Sequence, residues 1–132
     1  MQDMIFVNVP VADLPKSMAF WRALGFEFNM QYTDETAACL VLSPSSYAML
    51  LTHAKFREFA LVEPADTGKA REVLVAFNRA SPAEVDRIAN AAAQHGGAAH
   101  GAPQDHGFMY YRSFTDPDGH IWEVIHFPEQ PN

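Results

Sequence analysis

Glu123 is the residue in this sequence with the clearest chemical potential, because it stands in an apolar run four residues after the turn at 116–119. A carboxylate in such a run can act as a general acid or base, or as one ligand of a divalent metal. The six histidines are His53, His95, His100, His106, His120 and His126. None has the HxH or HExxH spacing that brings two imidazoles to one metal, so we interpret them as surface or edge residues.

The composition narrows the classes of partner. The chain has 132 residues, of which 48% are hydrophobic and 19% charged, as in one globular domain. Its net charge of −7 argues against nucleic acid or an anionic membrane as the main partner. The single cysteine, Cys39, lies in an apolar run, which predicts a buried residue and no internal disulfide. We find no signal peptide and no long apolar run, and therefore expect a cytoplasmic protein.

The first half of the sequence predicts a strand, a helix and three further strands. Alternating β-branched residues indicate a strand over residues 5–9. Asp13 can cap a helix that has Pro15 in its first turn and that ends at Gly25. Further strands are predicted over residues 26–32, 38–43 and 47–52.

The second half repeats this order. A strand over 72–78 precedes a helix that Ser81 can cap, and strands are predicted over 98–102, 108–115 and 120–127. The caps Asp13 and Ser81 are 68 residues apart (81 − 13), which favours a repeated β-α-β-β-β unit over two unrelated strand–helix units. Residues 55–70 lack a clear period and are interpreted as a surface connector.

Two segments, VADLPKSMAFWRALGF at 11–26 and DPDGHIWEV at 116–124, resemble the vicinal oxygen chelate superfamily. That group includes glyoxalase I, extradiol dioxygenases, fosfomycin-resistance enzymes and bleomycin-binding proteins, and the resemblance covers essentially the whole chain. It implies an α+β fold in which two βαβββ modules form a curved mixed sheet around a cavity, with the helices on the outer face. It also implies one domain over residues 1–132, with modules at about 1–54 and 71–128, and a homodimer.

The resemblance places the family's metal ligands at positions that this sequence has mostly changed. In metal-dependent members they come from the first and last strands of each module. The corresponding residues here are Phe6, Leu50 (with an error of one residue), Leu74 and Glu123. Only Glu123 can bind a divalent ion, and one carboxylate with water makes a weak site. The resemblance therefore implies a degenerate metal site, in which no cofactor is expected and a divalent metal is disfavoured.

The last hairpin predicts which side chains face the cavity. Pro117 and Gly119 favour a type I turn with a bulge, which places Ser113 opposite Glu123. A plain two-residue loop would place Arg112 there instead. With the bulged turn, one face of the hairpin is apolar and is predicted to pack against the helices; it consists of Phe108, Tyr110, Phe114, Trp122 and Val124. The predicted cavity residues besides Glu123 are Phe6, Asn8, Leu50, Thr52, Leu74, Asn78, Tyr111 and Ser113.

Three functions remain open at this level. The first is a protein that binds a small, partly apolar molecule in the cavity without metal. The second is an enzyme of lyase or dioxygenase type that uses Glu123 as metal ligand or general base. The third is an assembly protein, whose interface could be supplied by Phe56, Phe59, Phe108 and Tyr110, although core packing explains these aromatic residues as well. The alternative to any pocket is that Phe6, Leu50 and Leu74 fill the space.

Overall fold

The computed structural model describes residues 3–129, and the chain divides into two compact units, Met1–Asp66 and Thr67–Asn132. Each unit contains one four-stranded mixed sheet, so the fold class is α+β. The prediction that both units form one domain stays a prediction, and residues 1–2 and 130–132 of its range lie outside the described residues. Within 3–129, no helix is long and apolar enough to span a membrane.

Unit 1 has the sheet order β1-β4-β3-β2, with β1 parallel to β4 and the other pairs antiparallel. Its elements are β1 (Ile5–Val11), α1 (Leu14–Ala23), β2 (Glu27–Phe28), a 3-10 helix (Met30–Tyr32), β3 (Ala37–Ser43), β4 (Ser46–Thr52) and α2 (His53–Ala60). The long strand predicted over 26–32 is wrong after Phe28, because the Asn29 side chain accepts the Gln31 N–H and starts the 3-10 turn. The helix α2 replaces the start of the predicted loop, since the Thr52 hydroxyl caps it at the Lys55 N–H.

The helix α1 is set by its caps and by one buried face. The Asp13 carboxylate accepts the Lys16 N–H at 3.1 Å, as predicted, and Gly25 has the positive φ of 93° that ends the helix. The face with Phe20 and Trp21 is buried and packs on β3 and β4. Because α1 covers one face of this sheet, the other face stays available for a site.

Unit 2 repeats the topology with the order β5-β8-β7-β6, which confirms the repeated β-α-β-β-β unit. Its elements are β5 (Val75–Asn78), α3 (Pro82–Gln94), β6 (Ala98–Asp105), β7 (Tyr110–Thr115) and β8 (Ile121–His126). Two predicted strands begin too early, since residues 72–74 precede β5 and Phe108 precedes β7, where its side chain is 70% exposed. The weakly marked strand at 98–102 is real and continues to Asp105.

A buried carboxylate holds the turn between β7 and β8. The Asp116 Oδ2 atom accepts the Trp122 indole N–H at 3.0 Å, and Oδ1 accepts the backbone N–H groups of Asp118 and His120 at 2.9 and 3.0 Å. Burial raises the pKa of Asp116 above its ordinary value, although the charge of His120 and the Trp122 and His120 donors favour the ionised form. This arrangement ties the turn to the core through the fully buried Trp122 ring.

The turn itself has the predicted bulged geometry. The Gly119 N–H donates to the Asp116 carbonyl at 3.0 Å, the Asp116 N–H donates to the His120 carbonyl at 3.1 Å, and Gly119 has φ of 83°. The Thr67 hydroxyl donates to the Asp118 carbonyl at 2.6 Å and would lie 2.7 Å from a Cβ at position 119. Glycine is therefore required at 119 by both conformation and space.

We expect Asp116→Ala to lower the free energy of unfolding by about 2–4 kcal/mol, because it removes the acceptor for three N–H groups at a buried site. Urea denaturation followed by tryptophan fluorescence measures the loss. Asp3→Ala, at an exposed position, is the control and should change stability by less than about 0.5 kcal/mol. Equal stability of the two variants would contradict a structural role for the Asp116 carboxylate.

Candidate functional site

The β7–β8 register confirms the predicted pairing, with Ser113 opposite Glu123 and Tyr111 opposite Ile125. Side chains alternate along strands, so Tyr111, Ser113 and Glu123 share the sheet face that α3 does not cover. Phe114, Trp122 and Val124 are fully buried on the α3 side, as predicted. The bulged turn therefore aims Glu123 away from the core.

Arg112 lies on the α3 side of the sheet, where polar side chains of that helix accept its hydrogen bonds. Its Nη1 atom donates to the Asn90 side-chain oxygen at 2.8 Å and lies 3.4 Å from the Asp86 carboxylate. The Tyr110 hydroxyl donates to the same Asp86 carboxylate at 2.6 Å, and this hydrogen bond raises the pKa of Tyr110. The alternative register with Arg112 opposite Glu123 is wrong, since Arg112 pairs with Val124.

The open face of unit 2 carries a pocket of 370 Å³. Its lining residues are His106, Phe108, Met109, Tyr111, Glu123 and Ile125. The His106 ring lies 6.2 Å from the Phe108 ring and 6.0 Å from the Tyr111 ring between centroids, with interplanar angles of 29° and 28°. Two aromatic rings thus lie within 30° of the His106 plane in a pocket that also contains one carboxylate, which suits a small molecule with a flat apolar part.

The tight turn before β7 carries two of these rings, His106 and Phe108. The His106 N–H donates to the Met109 carbonyl at 2.9 Å, and the Asp105 carboxylate accepts the Gly107 N–H at 3.0 Å. Gly107 has φ of 80°, which lets the chain reverse before β7. Sequence reasoning missed His106, Met109 and Ile125 as lining residues and placed Phe108 on the core side. The Asp105–His106–Gly107 turn signal was the available clue.

Glu123 is half-buried, and its carboxylate makes no hydrogen bond or ion pair with any residue in 3–129. The hydroxyls of Tyr111 and Ser113, the nearest candidate donors on this face, do not donate to it. A carboxylate that has lost part of its water but gained no protein donor favours a ligand that supplies one.

The open face of unit 1 carries a second, apolar pocket of 330 Å³. It is lined by Met4, Phe6, Asn29, Tyr32, Cys39, Tyr47 and Met49. The Phe6 and Tyr47 rings stack with centroids 4.9 Å apart. Cys39 is buried as predicted, and this burial raises the pKa of its thiol, which keeps it an unreactive neutral group.

Two predicted cavity residues of unit 1 lie on the wrong face. Met49 pairs with Asn8, whereas Leu50 pairs with Val9 and is fully buried on the α1 side. Thr52 shares that side and caps α2 instead. Residues 48–51 are all apolar, so the sequence does not show which of them face the core. The pairing with β1 assigns the family's ligand position to Met49 and not to Leu50.

The remaining predicted residues are distributed over both open faces. Phe6 lines the unit 1 pocket, and Asn8 lies on the same face outside its lining. In unit 2, Asn78 and Ser113 share the face of Glu123 but do not line the pocket, while Tyr111 does. Leu74 precedes β5 and is 58% exposed, so the prediction that it belongs to a strand is wrong.

The four family ligand positions do not fit a divalent metal. They carry the ring of Phe6, the thioether of Met49, the alkyl chain of Leu74 and the carboxylate of Glu123. A hard divalent ion requires several oxygen or nitrogen donors, which this set does not supply. Across 3–129, no three His, Cys, Asp or Glu side chains are grouped so that they could hold a metal ion.

Known proteins with this architecture are similar over nearly the whole chain. A profile described as Glyoxalase/Bleomycin resistance protein/Dioxygenase superfamily matches residues 4–124. Hypothetical protein SA1046 from S. aureus is 25% identical, with a TM-score of 0.80 over 96% of this chain and 95% of that one. A glyoxalase/bleomycin resistance protein/dioxygenase family enzyme from Burkholderia phytofirmans PsJN is 18% identical, with a TM-score of 0.79 over 96% and 99%. Fosfomycin resistance protein FosX from Mesorhizobium loti is 12% identical, with a TM-score of 0.67 over 96% and 92%, and no curated protein matches significantly.

The corrected register of β4 leads to a stability prediction. Leu50→Ala should lower the free energy of unfolding by about 2–4 kcal/mol, because it leaves a cavity in the core beneath α1. Met49→Ala shortens a partly buried side chain on the open face and should cost less, about 1–2 kcal/mol. Chemical denaturation of the two variants measures the difference. A larger cost for Met49→Ala than for Leu50→Ala would reverse the assignment of the two faces.

Proposed function

This chain belongs to the Glyoxalase/Bleomycin resistance protein/Dioxygenase superfamily, and on that basis we propose that it binds a small, partly apolar organic molecule without the family's usual metal site. The observation that carries this proposal is the 370 Å³ pocket of unit 2, in which the unpaired Glu123 carboxylate lies among aromatic and aliphatic side chains. Pockets for small ligands typically combine an apolar lining with a few polar groups that orient the ligand.

The lining divides into parts with different roles. Phe108 and Tyr111 supply flat apolar area, and Met109 adds a flexible side chain that can adapt to a ligand's shape. Glu123 supplies acceptor oxygens, and the Tyr111 hydroxyl makes no hydrogen bond with any described residue. A ligand with one ring and one polar substituent can therefore bury the ring and pair the substituent.

Binding of one-ring neutral compounds tests this proposal. Titration of ¹⁵N-labelled protein with benzamide, phenol and indole should shift the amide signals of Tyr111, Glu123 and Ile125, with a dissociation constant of about 1 mM for the best of them. Phe108→Ala should weaken that binding by about threefold or more, because it removes an exposed lining ring without disturbing the core.

The matched control is Phe6→Ala, which removes an exposed ring from the unit 1 pocket. It should leave the unit 2 shifts and their dissociation constant unchanged. Absence of any shift at the three unit 2 amides with the whole panel would contradict the proposal, as would equal binding by wild type and Phe108→Ala.

The metal-free part of the proposal has its own test. Protein purified without chelator should contain no stoichiometric metal, and nickel, zinc, iron(II), manganese and magnesium should leave the melting temperature unchanged. A metal that binds only the folded state must raise that temperature. Stoichiometric metal that is lost on Glu123→Ala would overturn the metal-free reading and favour a lyase- or dioxygenase-type enzyme.

A second candidate function is acid–base catalysis, which the presence of His106 and Glu123 in one pocket favours. Two groups that can exchange protons beside a bound molecule are a minimal general acid and base. Exchange of the methyl protons of acetophenone in D₂O, followed by NMR, tests it. Exchange that stops in both Glu123→Gln and His106→Gln supports catalysis, and exchange at the buffer rate contradicts it.

We also propose that the protein acts as a cytoplasmic homodimer whose partner is a small organic molecule and neither nucleic acid nor membrane. The net charge of −7 supports the exclusion of polyanionic partners, and the single cysteine supports a reducing compartment. The homodimer rests on the family resemblance alone.

A further inference from the structure

We propose that the ligand of the unit 2 pocket carries a positively charged nitrogen attached to a flat apolar group. This inference rests on the proposed function, because it names the chemical class that the same pocket takes. Its basis is the combination of one unpaired carboxylate, three rings and no lysine or arginine among the described lining residues.

The carboxylate of Glu123 is the first element of the argument. It is half-buried on the open face of β8, and no described residue donates a hydrogen bond to it or forms an ion pair with it. Hydrogen bonds in which both partners are charged are shorter and stronger than neutral ones. A ligand with a cationic N–H donor should therefore bind at this position with a more favourable free energy than a neutral donor of the same shape.

The rings are the second element. The faces of Phe108 and Tyr111 carry the negative side of the aromatic quadrupole, which attracts a cation within about 6 Å. His106 lies about parallel to both rings, at 6.2 and 6.0 Å between centroids. Because Phe108 and Glu123 line the same pocket, a ligand can place its apolar part against the Phe108 ring and its cation at the Glu123 carboxylate.

Two arginines of unit 2 are engaged on the α3 side of the sheet, away from the Glu123 carboxylate. Arg112 lies on the α3 side of the sheet, where it contacts Asp86 and Asn90. Arg87 pairs with Glu84 on α3. No lysine or arginine is among the described lining residues, so an anionic ligand would meet the like charge of Glu123 without a compensating ammonium or guanidinium group.

The unit 1 pocket provides an internal comparison. The two sheets have the same strand order, with β1 and β4 of unit 1 corresponding to β5 and β8 of unit 2. Met49 on β4 pairs with Asn8, and Glu123 on β8 pairs with Ala76, so Met49 is the unit 1 equivalent of Glu123. No described lining residue of that pocket is charged. The preference for a cation should therefore belong to unit 2 alone.

Three compounds of nearly equal shape test the inference: benzamidine, which is cationic, benzamide, which is neutral, and benzoate, which is anionic. Each is titrated into ¹⁵N-labelled protein at about pH 8, where benzamidine stays charged and ordinary imidazoles are neutral. We expect benzamidine to bind at the Tyr111, Glu123 and Ile125 amides about fivefold to tenfold more tightly than benzamide, and benzoate to bind more weakly than either. Higher salt should weaken benzamidine only.

Glu123→Gln is the decisive variant, because it keeps the shape of the side chain and removes its charge. It should weaken benzamidine by about fivefold to tenfold and change benzamide by less than about twofold. Glu72→Gln removes an exposed carboxylate elsewhere in unit 2 and should change neither. Retained benzamidine affinity in Glu123→Gln would overturn the inference.

The failure of this inference is distinguishable from failure of the proposed function. Equal binding of benzamidine and benzamide at the unit 2 amides would remove the cation preference and leave a small-molecule pocket. No shift at those amides with any of the three compounds would remove both.

Discussion

The hydrogen bonds of the buried Asp116 carboxylate are the interaction on which the site geometry depends. One carboxylate joins the Trp122 indole in the core to two backbone N–H groups of the turn, so the bulge and the strand register are set together. A slip of one residue in β8 would exchange the faces of Trp122 and Glu123, burying a carboxylate and exposing an indole. The energy of core packing thereby fixes the direction of a polar side chain that contributes nothing to the core.

The repeated topology uses one architecture for two different surfaces. In both units a helix covers one face of a four-stranded sheet with the same strand order and leaves the other face open. The buried faces are alike, with Leu50 and Val124 both fully enclosed. The open faces differ, since Met49 and Cys39 in unit 1 stand where Glu123 and Ser113 stand in unit 2. Packing constrains the covered faces, whereas the open faces can diverge without loss of the fold.

The polar groups near the core follow the same division between structure and site. Arg112, Asp86 and Tyr110 satisfy one another between β7 and α3, so these polar residues at the helix–sheet boundary are structural. Glu123 has no such partner among the described residues, and a half-buried charge without one is unfavourable for folding. That contrast, within two neighbouring strands, separates residues that hold the fold from the residue for which we propose a role in ligand binding.

The sequence by itself determined the features that rest on local chemistry. The caps at Asp13 and Ser81, the bulged turn before β8 and the Ser113–Glu123 pairing all follow from residues close together in the chain, and the structure confirms them. It also indicated the repeated element order. These features need only a few neighbouring residues to specify them, which is why short motifs predict them.

Tertiary structure decided what the local pattern could not distinguish. Because residues 48–51 are all apolar, the sequence is compatible with either set of alternate side chains facing the core. Only the pairing of β4 with β1 assigns Met49 to the open face and Leu50 to the core. Likewise, His106 and Phe108 line the pocket because β7 begins only at Tyr110. The turn at Gly107 keeps these two residues out of the strand and away from the side that packs on α3. The pocket forms where the Gly107 turn meets the open face of β8, and that face is set by strand pairing and by packing against α3, which the local pattern does not specify.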